Sequence, residues 1–116
     1  MKTRFLYKGD TKDDQSTAYI VKKLERLEKL VEETALFEIE LSEEKDNTFR
    51  VEVMVSVEGE LFRAEETTAS IEGSIDWVVD ELEGQITKTH SRVRDLNLRD
   101  ERSVKKKLVV DEAARF

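Results

Sequence analysis

The side chains in this chain best suited to chemistry are cations, and the chemistry that suits them is the neutralisation of phosphate. Lys22, Lys23, Arg26 and Lys29 recur at spacings that, on a helix, return to the side opposite Leu24 and Leu27. Lys88 and Arg92 stand one helical turn apart further on, with Arg94 and Arg99 nearby. Clustered cations of this kind displace counterions from a nucleic-acid backbone. They are equally the solvated side of two helices, paired with Glu25, Glu28, Glu32 and Glu83, and the charge pattern alone leaves both readings open.

Catalysis has much less to draw on. His90 is the only histidine, there is no cysteine, and no serine is framed by glycines, so no activated nucleophile is in view. Glu65 and Glu66 are adjacent, and in a strand they point to opposite faces, where they share neither a proton nor a metal ion. Gly9, Gly59, Gly73 and Gly84 are too scattered for a phosphate-cradling loop. The expectation is a protein that is not an enzyme, with no cofactor, no metal site and no small-molecule substrate.

Charge distribution qualifies the phosphate reading. The formal net charge of -7 is unusual for a nucleic-acid binder. The acid is concentrated, however: residues 1–35 hold eight Lys/Arg against seven Asp/Glu, residues 36–83 three against fifteen, and residues 84–116 nine against five. Local potentials depend on charges within a Debye length, about 8 Å at physiological salt, so a basic patch survives on an acidic protein. A length of 116 residues suits one small domain. No apolar run approaches the roughly 20 residues of a membrane span, and the N-terminus lacks a signal-peptide pattern. A soluble, cytoplasmic protein with no membrane partner is expected.

The elements that must position these cations are legible from hydrophobic period. Thr3, Phe5 and Tyr7 alternate with charged residues as a short strand, and Asp10 or Asp13 is placed to cap a helix. Ile20, Leu24, Leu27 and Val31 form that helix's apolar stripe, predicting a helix from about 13 to 33. Phe37, Ile39 and Leu41 alternate, Asp46-Asn47 turns the chain, and Phe49 to Val57 alternate again. Gly59 supplies the positive φ of a tight turn into a strand from Leu61 to Thr68. Ser70 then caps a long helix whose apolar face is Ile71, Ile75, Val78, Val79, Leu82, Ile86 and Val93. The order is β-α-β-β-β-α. Three successive antiparallel strands flanked by helices bury their stripes only if both helices pack on one face of a four-stranded sheet, an α+β two-layer sandwich. The opposite face then carries Arg4, Glu38, Glu40, Arg50, Glu52, Met54 and Arg63.

Two blocks carry a family resemblance. The run Phe49 to Lys88, above all Arg63-Ala64-Glu65-Glu66-Thr67, Ile75-Asp76 and Val78-Val79-Asp80 through Gln85-Ile86, resembles the ribosome hibernation factors. These are also called ribosome-associated translation inhibitors or sigma-factor modulation proteins. Lys22 to Lys29, with basic residues alternating with leucines, is similar to the family's first-helix signature. The resemblance covers roughly residues 1–98. It implies a fold similar in outline to double-stranded-RNA-binding domains, and a partner in the ribosomal RNA of the small subunit, where the family excludes messenger and transfer RNA from the decoding region. Carried over by position, it implies RNA-binding roles for Lys22, Lys23, Arg26, Lys29, Lys88, Arg92, Arg94 and Arg99.

Departures from the pattern are specific. Glu81 and Gly84 stand where the family commonly has cations, Glu72 where an aromatic is usual, and Trp77 where an aliphatic residue is usual. Trp77 is expected to pack or to sit on the helix rim rather than to stack on a base. Periodicity decays past Leu98, so residues 1–98 are expected to form the ribosome-binding domain and residues 99–116 a charged, mobile tail. Longer family members add a dimerisation domain, for which this chain is too short. The loss of cations at positions 81 and 84 keeps a second expectation open, a protein-interaction module of the same fold with weakened RNA binding.

Overall fold

The computed structural model describes residues 1–109, with side chains described through residue 90. Strand β1 (Lys2–Lys8) leads to helix α1 (Asp14–Glu28), strand β2 (Leu36–Glu44), a 3-10 turn (Lys45–Asn47), strands β3 (Thr48–Val57) and β4 (Glu60–Thr68), and helix α2 (Ile71–Val109). The chain divides into a unit of Met1–Gln85 and a second unit beginning at Ile86. The second unit holds the rest of α2, which includes the first part of the 99–116 segment; residues 110–116 lie outside the described residues.

The sheet order is β1-β2-β3-β4, with β1 parallel to β2 and the remaining pairs antiparallel. Register aligns rows of side chains across it, such as Phe5, Ile39, Val53 and Ala64. One face buries Phe37, Ile39, Leu41, Val51, Val53, Val55, Phe62 and Ala64. Against them lie Ile20, Leu24 and Leu27 of α1 and Ile71, Ile75, Val78, Val79 and Leu82 of α2, all buried. Both helices therefore cover the same face of the sheet, and the α+β sandwich expected from the alternation is the observed one. Burial of such aliphatic side chains, each about 1.5–3 kcal/mol, is the main force holding the layers together.

The opposite face is a charge lattice. Glu40, Glu52 and Glu65 occupy one cross-strand row, an arrangement of like charges that is unfavourable by itself. Cations flank that row: Arg50 reaches Glu40 at 3.2 Å, Glu52 at 3.4 Å and also Glu65, Arg63 pairs with Glu52 and with Glu65 at 3.4 Å, and Lys8 meets Glu40 at 3.3 Å. Arg4 meets Glu38 at 3.1 Å. Burial works against the charge of Arg50, but the hydrogen bond to Glu65 and the charges of Glu65 and Glu52 outweigh it, and the guanidinium holds its proton above the ordinary range.

Helix α1 is shorter than its stripe predicts. It stops at Glu28 with Lys29 as C-cap, and short-range bonds from Leu30 N to Leu27 O and from Val31 N to Glu28 O turn the chain away. Beyond Leu27 the chain must cross back to pair β2 beside β1, so Leu30 and Val31 become half-buried turn residues instead of a further helical turn. Asp13, of the two candidate caps, is the one that bonds Ser16 N, at 3.0 Å. The β3–β4 hairpin turns on Glu58 (φ 46°) and Gly59 (φ 80°), both left-handed as a two-residue hairpin loop requires.

At the β4–α2 junction, Ser70 Oγ accepts from Gly73 N at 3.0 Å. The buried Ser74 hydroxyl donates to Phe49 O at 2.7 Å and accepts from Thr68 N at 3.0 Å. A Cβ on Gly73 would lie 2.9 Å from Thr68 Oγ1 and 3.0 Å from Ser70 Oγ, which explains the glycine, whereas Gly84 has nothing within 4 Å. The two helical glycines should thus respond oppositely to alanine. Gly73→Ala gains about 1 kcal/mol of helix propensity but disturbs the cap and its hydroxyl contacts, for a net loss of about 1 kcal/mol; Gly84→Ala should stabilise by about 0.5–1 kcal/mol. Denaturant unfolding of both variants checks the opposite signs.

Glu81 of α2 faces Glu66 of β4, and burial, a hydrogen bond to Glu66 and the charge of Glu66 all push its pKa up. A carboxyl whose folded pKa is raised favours the protonated native state, so its cost is absent at low pH and appears as pH rises through the carboxylate range. Glu81→Gln should therefore raise the unfolding temperature at neutral pH. That gain should vanish as pH falls through the carboxylate range, a comparison that thermal melts across pH provide.

Candidate nucleic-acid interface

The cations expected to meet phosphate divide into two groups on α1. Lys23 and Arg26 point along the flank of α1 that faces α2, while Lys22 and Lys29 are exposed and make no ion pair among the described residues. The seam between the helices is built from matched spacings. Ser16, Tyr19, Lys23 and Arg26 advance along α1 as Glu72, Asp76, Asp80 and Glu83 advance along α2, so the first unit's part of α2 runs beside α1 in the same direction.

At the head of the seam the Ser16 hydroxyl lies 2.9 Å from Asp13 Oδ2 and 3.1 Å from Glu72 Oε2. Glu72, standing where the resemblance expects an aromatic, thus fastens the first turn of α2 to that of α1. The Tyr19 hydroxyl donates to Asp76 Oδ1 at 2.8 Å, and Lys23 Nζ sits 3.4 Å from the same oxygen and 5.5 Å from the Tyr19 ring centroid. The Tyr19 pKa is raised, first by the hydrogen bond to Asp76, then by burial and the charge of Asp76, with Lys23 opposing. Arg26 pairs with Asp80 and, at 3.2 Å, with Glu83. The hydrogen bond to Asp80 is the largest influence on its pKa, and with the neighbouring carboxylates it raises the pKa against the effect of burial.

Glu83 alone among the acids of this seam is an expected partner of the α1 cations; Asp76 and Asp80 are not. Their spacing carried the signal: Glu72, Asp76, Asp80 and Glu83 follow each other at four, four and three residues, one stripe of a helix. Arg26 is therefore partly committed within the protein, as is Lys23. Exposed ion pairs of this kind are worth about 0–1 kcal/mol each, so an incoming phosphate can compete for both cations.

Tyr19, Lys22, Lys23 and Arg26 together line an open depression of about 410 Å³ on α1. Three cations and an aromatic ring around one concavity suit a sugar-phosphate backbone better than an apolar ligand. Lys88 is exposed and lies in the second unit. Arg92, Arg94 and Arg99 are in α2, and their side chains lie outside the described residues. His90 is exposed. Trp77 does not pack into the core: it is 60% exposed, because the apolar side of α2 is already filled by Ile75, Val78, Val79 and Leu82.

Comparison with known proteins agrees with this architecture. The N-terminal domain of Protein Y from Thermus thermophilus is 30% identical and superposes with a TM-score of 0.68, over 77% of this chain and 99% of that one. A ribosomal subunit interface protein from Coxiella burnetii, 16% identical, shares the fold with a TM-score of 0.65 over 78% of this chain and 99% of that one. A family model described as sigma 54 modulation protein / S30EA ribosomal protein matches residues 7–94. With the match spanning most of its length, the chain belongs to that family and is a ribosome-associated modulation protein.

Proposed function

We propose that this protein binds the small ribosomal subunit through the outer surface of its helical layer, in the cytoplasm and without catalysis. There it contacts ribosomal RNA in the decoding channel and excludes messenger and transfer RNA when growth slows. The observation that carries the reading is the depression framed by Tyr19, Lys22, Lys23 and Arg26 in a chain of this family. Lys22 and Lys29 supply uncommitted charge, Lys23 and Arg26 supply charge exchanged from their carboxylate partners, and Lys88, Arg92, Arg94 and Arg99, in the second unit, are proposed as further RNA-binding cations.

One observation favours a second reading. Asp76, Asp80 and Glu83 neutralise two of the four α1 cations internally, and Glu81 adds another carboxylate on α2. A module so arranged suits a protein partner of basic character, docked through the sheet and the acidic middle of the chain, better than a dense phosphate array.

Sedimentation with small subunits through a cushion at low and moderate salt separates the two. Lys22→Glu and Lys29→Glu should each weaken co-sedimentation far more than Lys45→Glu, in the β2–β3 turn, and should flatten the slope of log affinity against log salt by about 0.7–0.9 per lost phosphate contact. Binding that is indifferent to Lys22→Glu and Lys29→Glu would favour the protein-partner reading. No protein in the pellet at either salt would contradict subunit binding itself.

A further inference from the structure

Among the described residues, the helical layer holds one large apolar group that neither the core nor the ion-pair seam uses. Trp77, the sole tryptophan, is 60% exposed in the middle of the first unit's part of α2. Its surroundings are polar or small. One turn before it is Gly73, and after it come Asp80, Glu81 and Gly84, while the other exposed large hydrophobic groups among the described residues, Met1, Leu6 and Leu61, lie on or beside the strands. A helical side chain leans over the turn that precedes it, and at Gly73 no side chain competes for that space. The glycine is itself required by Thr68 and Ser70.

Two of the carboxylates beside the ring carry cation partners. Asp76, immediately before Trp77, is paired with Lys23, and Asp80, three residues after it, with Arg26. Glu81, one turn after the ring, faces Glu66 of β4. A protein hot spot sets its aromatic anchor within an apolar, water-excluding surround, which is missing here. An isolated aromatic face on a helix whose adjacent side carries cations, here Lys23 on Asp76 and Arg26 on Asp80, is instead what single-stranded nucleic acid uses, the base stacking on the ring and its backbone meeting the cations. Tyr19, the neighbouring aromatic, already has Lys23 over its ring.

We propose that Trp77 is a stacking platform for an unpaired base of the bound RNA, with Lys23 and Arg26 released from Asp76 and Asp80 to meet the flanking phosphates. This rests on the reading of the helical layer as an RNA-binding surface. It adds base contact to an interface otherwise made of phosphate neutralisation.

The test compares Trp77→Phe and Trp77→Leu in equilibrium binding to purified small subunits. Phenylalanine keeps a stacking face and leucine keeps only apolar bulk, so Trp77→Leu should weaken binding about tenfold or more while Trp77→Phe stays within a few-fold of the unmodified protein. Equal affinities for the two variants would overturn stacking and indicate either no contact or an apolar contact with a protein. If the unmodified protein does not bind subunits at all, the functional reading fails separately. Stacking is then decided by the emission of the sole tryptophan on titration with a short mixed-sequence single-stranded oligoribonucleotide: saturable quenching supports it, and unchanged emission overturns it.

Discussion

What the first unit can present to a partner is limited by one constraint, that α1 and its part of α2 lie side by side on a single apolar sheet face. Each helix spends one side on the core and one flank on its neighbour. For α1 that leaves a narrow outward strip containing Lys22 and Lys29, with Lys23 and Arg26 at its inner edge. The packing therefore decides which cations are spare, and the carboxylates of α2 decide how available the others are. Because those pairs are partly exposed, they set orientation more than they add stability.

The same economy explains the sheet's other face. Three carboxylates in one row would repel each other, and Arg50, Arg63 and Lys8 are placed to cancel them. The strands therefore carry no single-sign patch, and a basic partner docking on them would have to exchange its own cations for Arg50, Arg63 and Lys8. Internal pairing leaves this face close to neutral, so the acid excess behind the net charge of -7 lies on the turns and on α2, where Glu72, Asp76, Asp80, Glu81 and Glu83 precede the first cation. The helical side is left to determine the field an RNA would meet.

The two-residue alternation of β2 and β3 and the leucine stripe of α1 were enough to read the layers, because burial follows period directly. The parallel pairing of β1 with β2 was not legible, since strand order depends on how the crossover through α1 packs and not on the strands' own pattern. The end of α1 was misplaced for a similar reason: Leu30 and Val31 continue the apolar spacing but are needed in the return to β2. In the candidate site, the cations were visible as residues and their partners largely were not. Asp76 and Asp80 become neighbours of Lys23 and Arg26 only when the helices are set in register. Of the two places that the character of Trp77 allows, packed or on the helix rim, the exposed one is observed, because the space under α2 is already full.

A ligand that meets the outer surface of the helical layer will be registered by lysine-acylation footprinting of the protein bound to small subunits. Lys22 and Lys29 should be protected from modification in the complex, while Lys8, on the charge-lattice face, and Lys45, in the β2–β3 turn, should react as in the free protein. Protection of Lys8 and Lys45 with Lys22 and Lys29 left reactive would contradict the account.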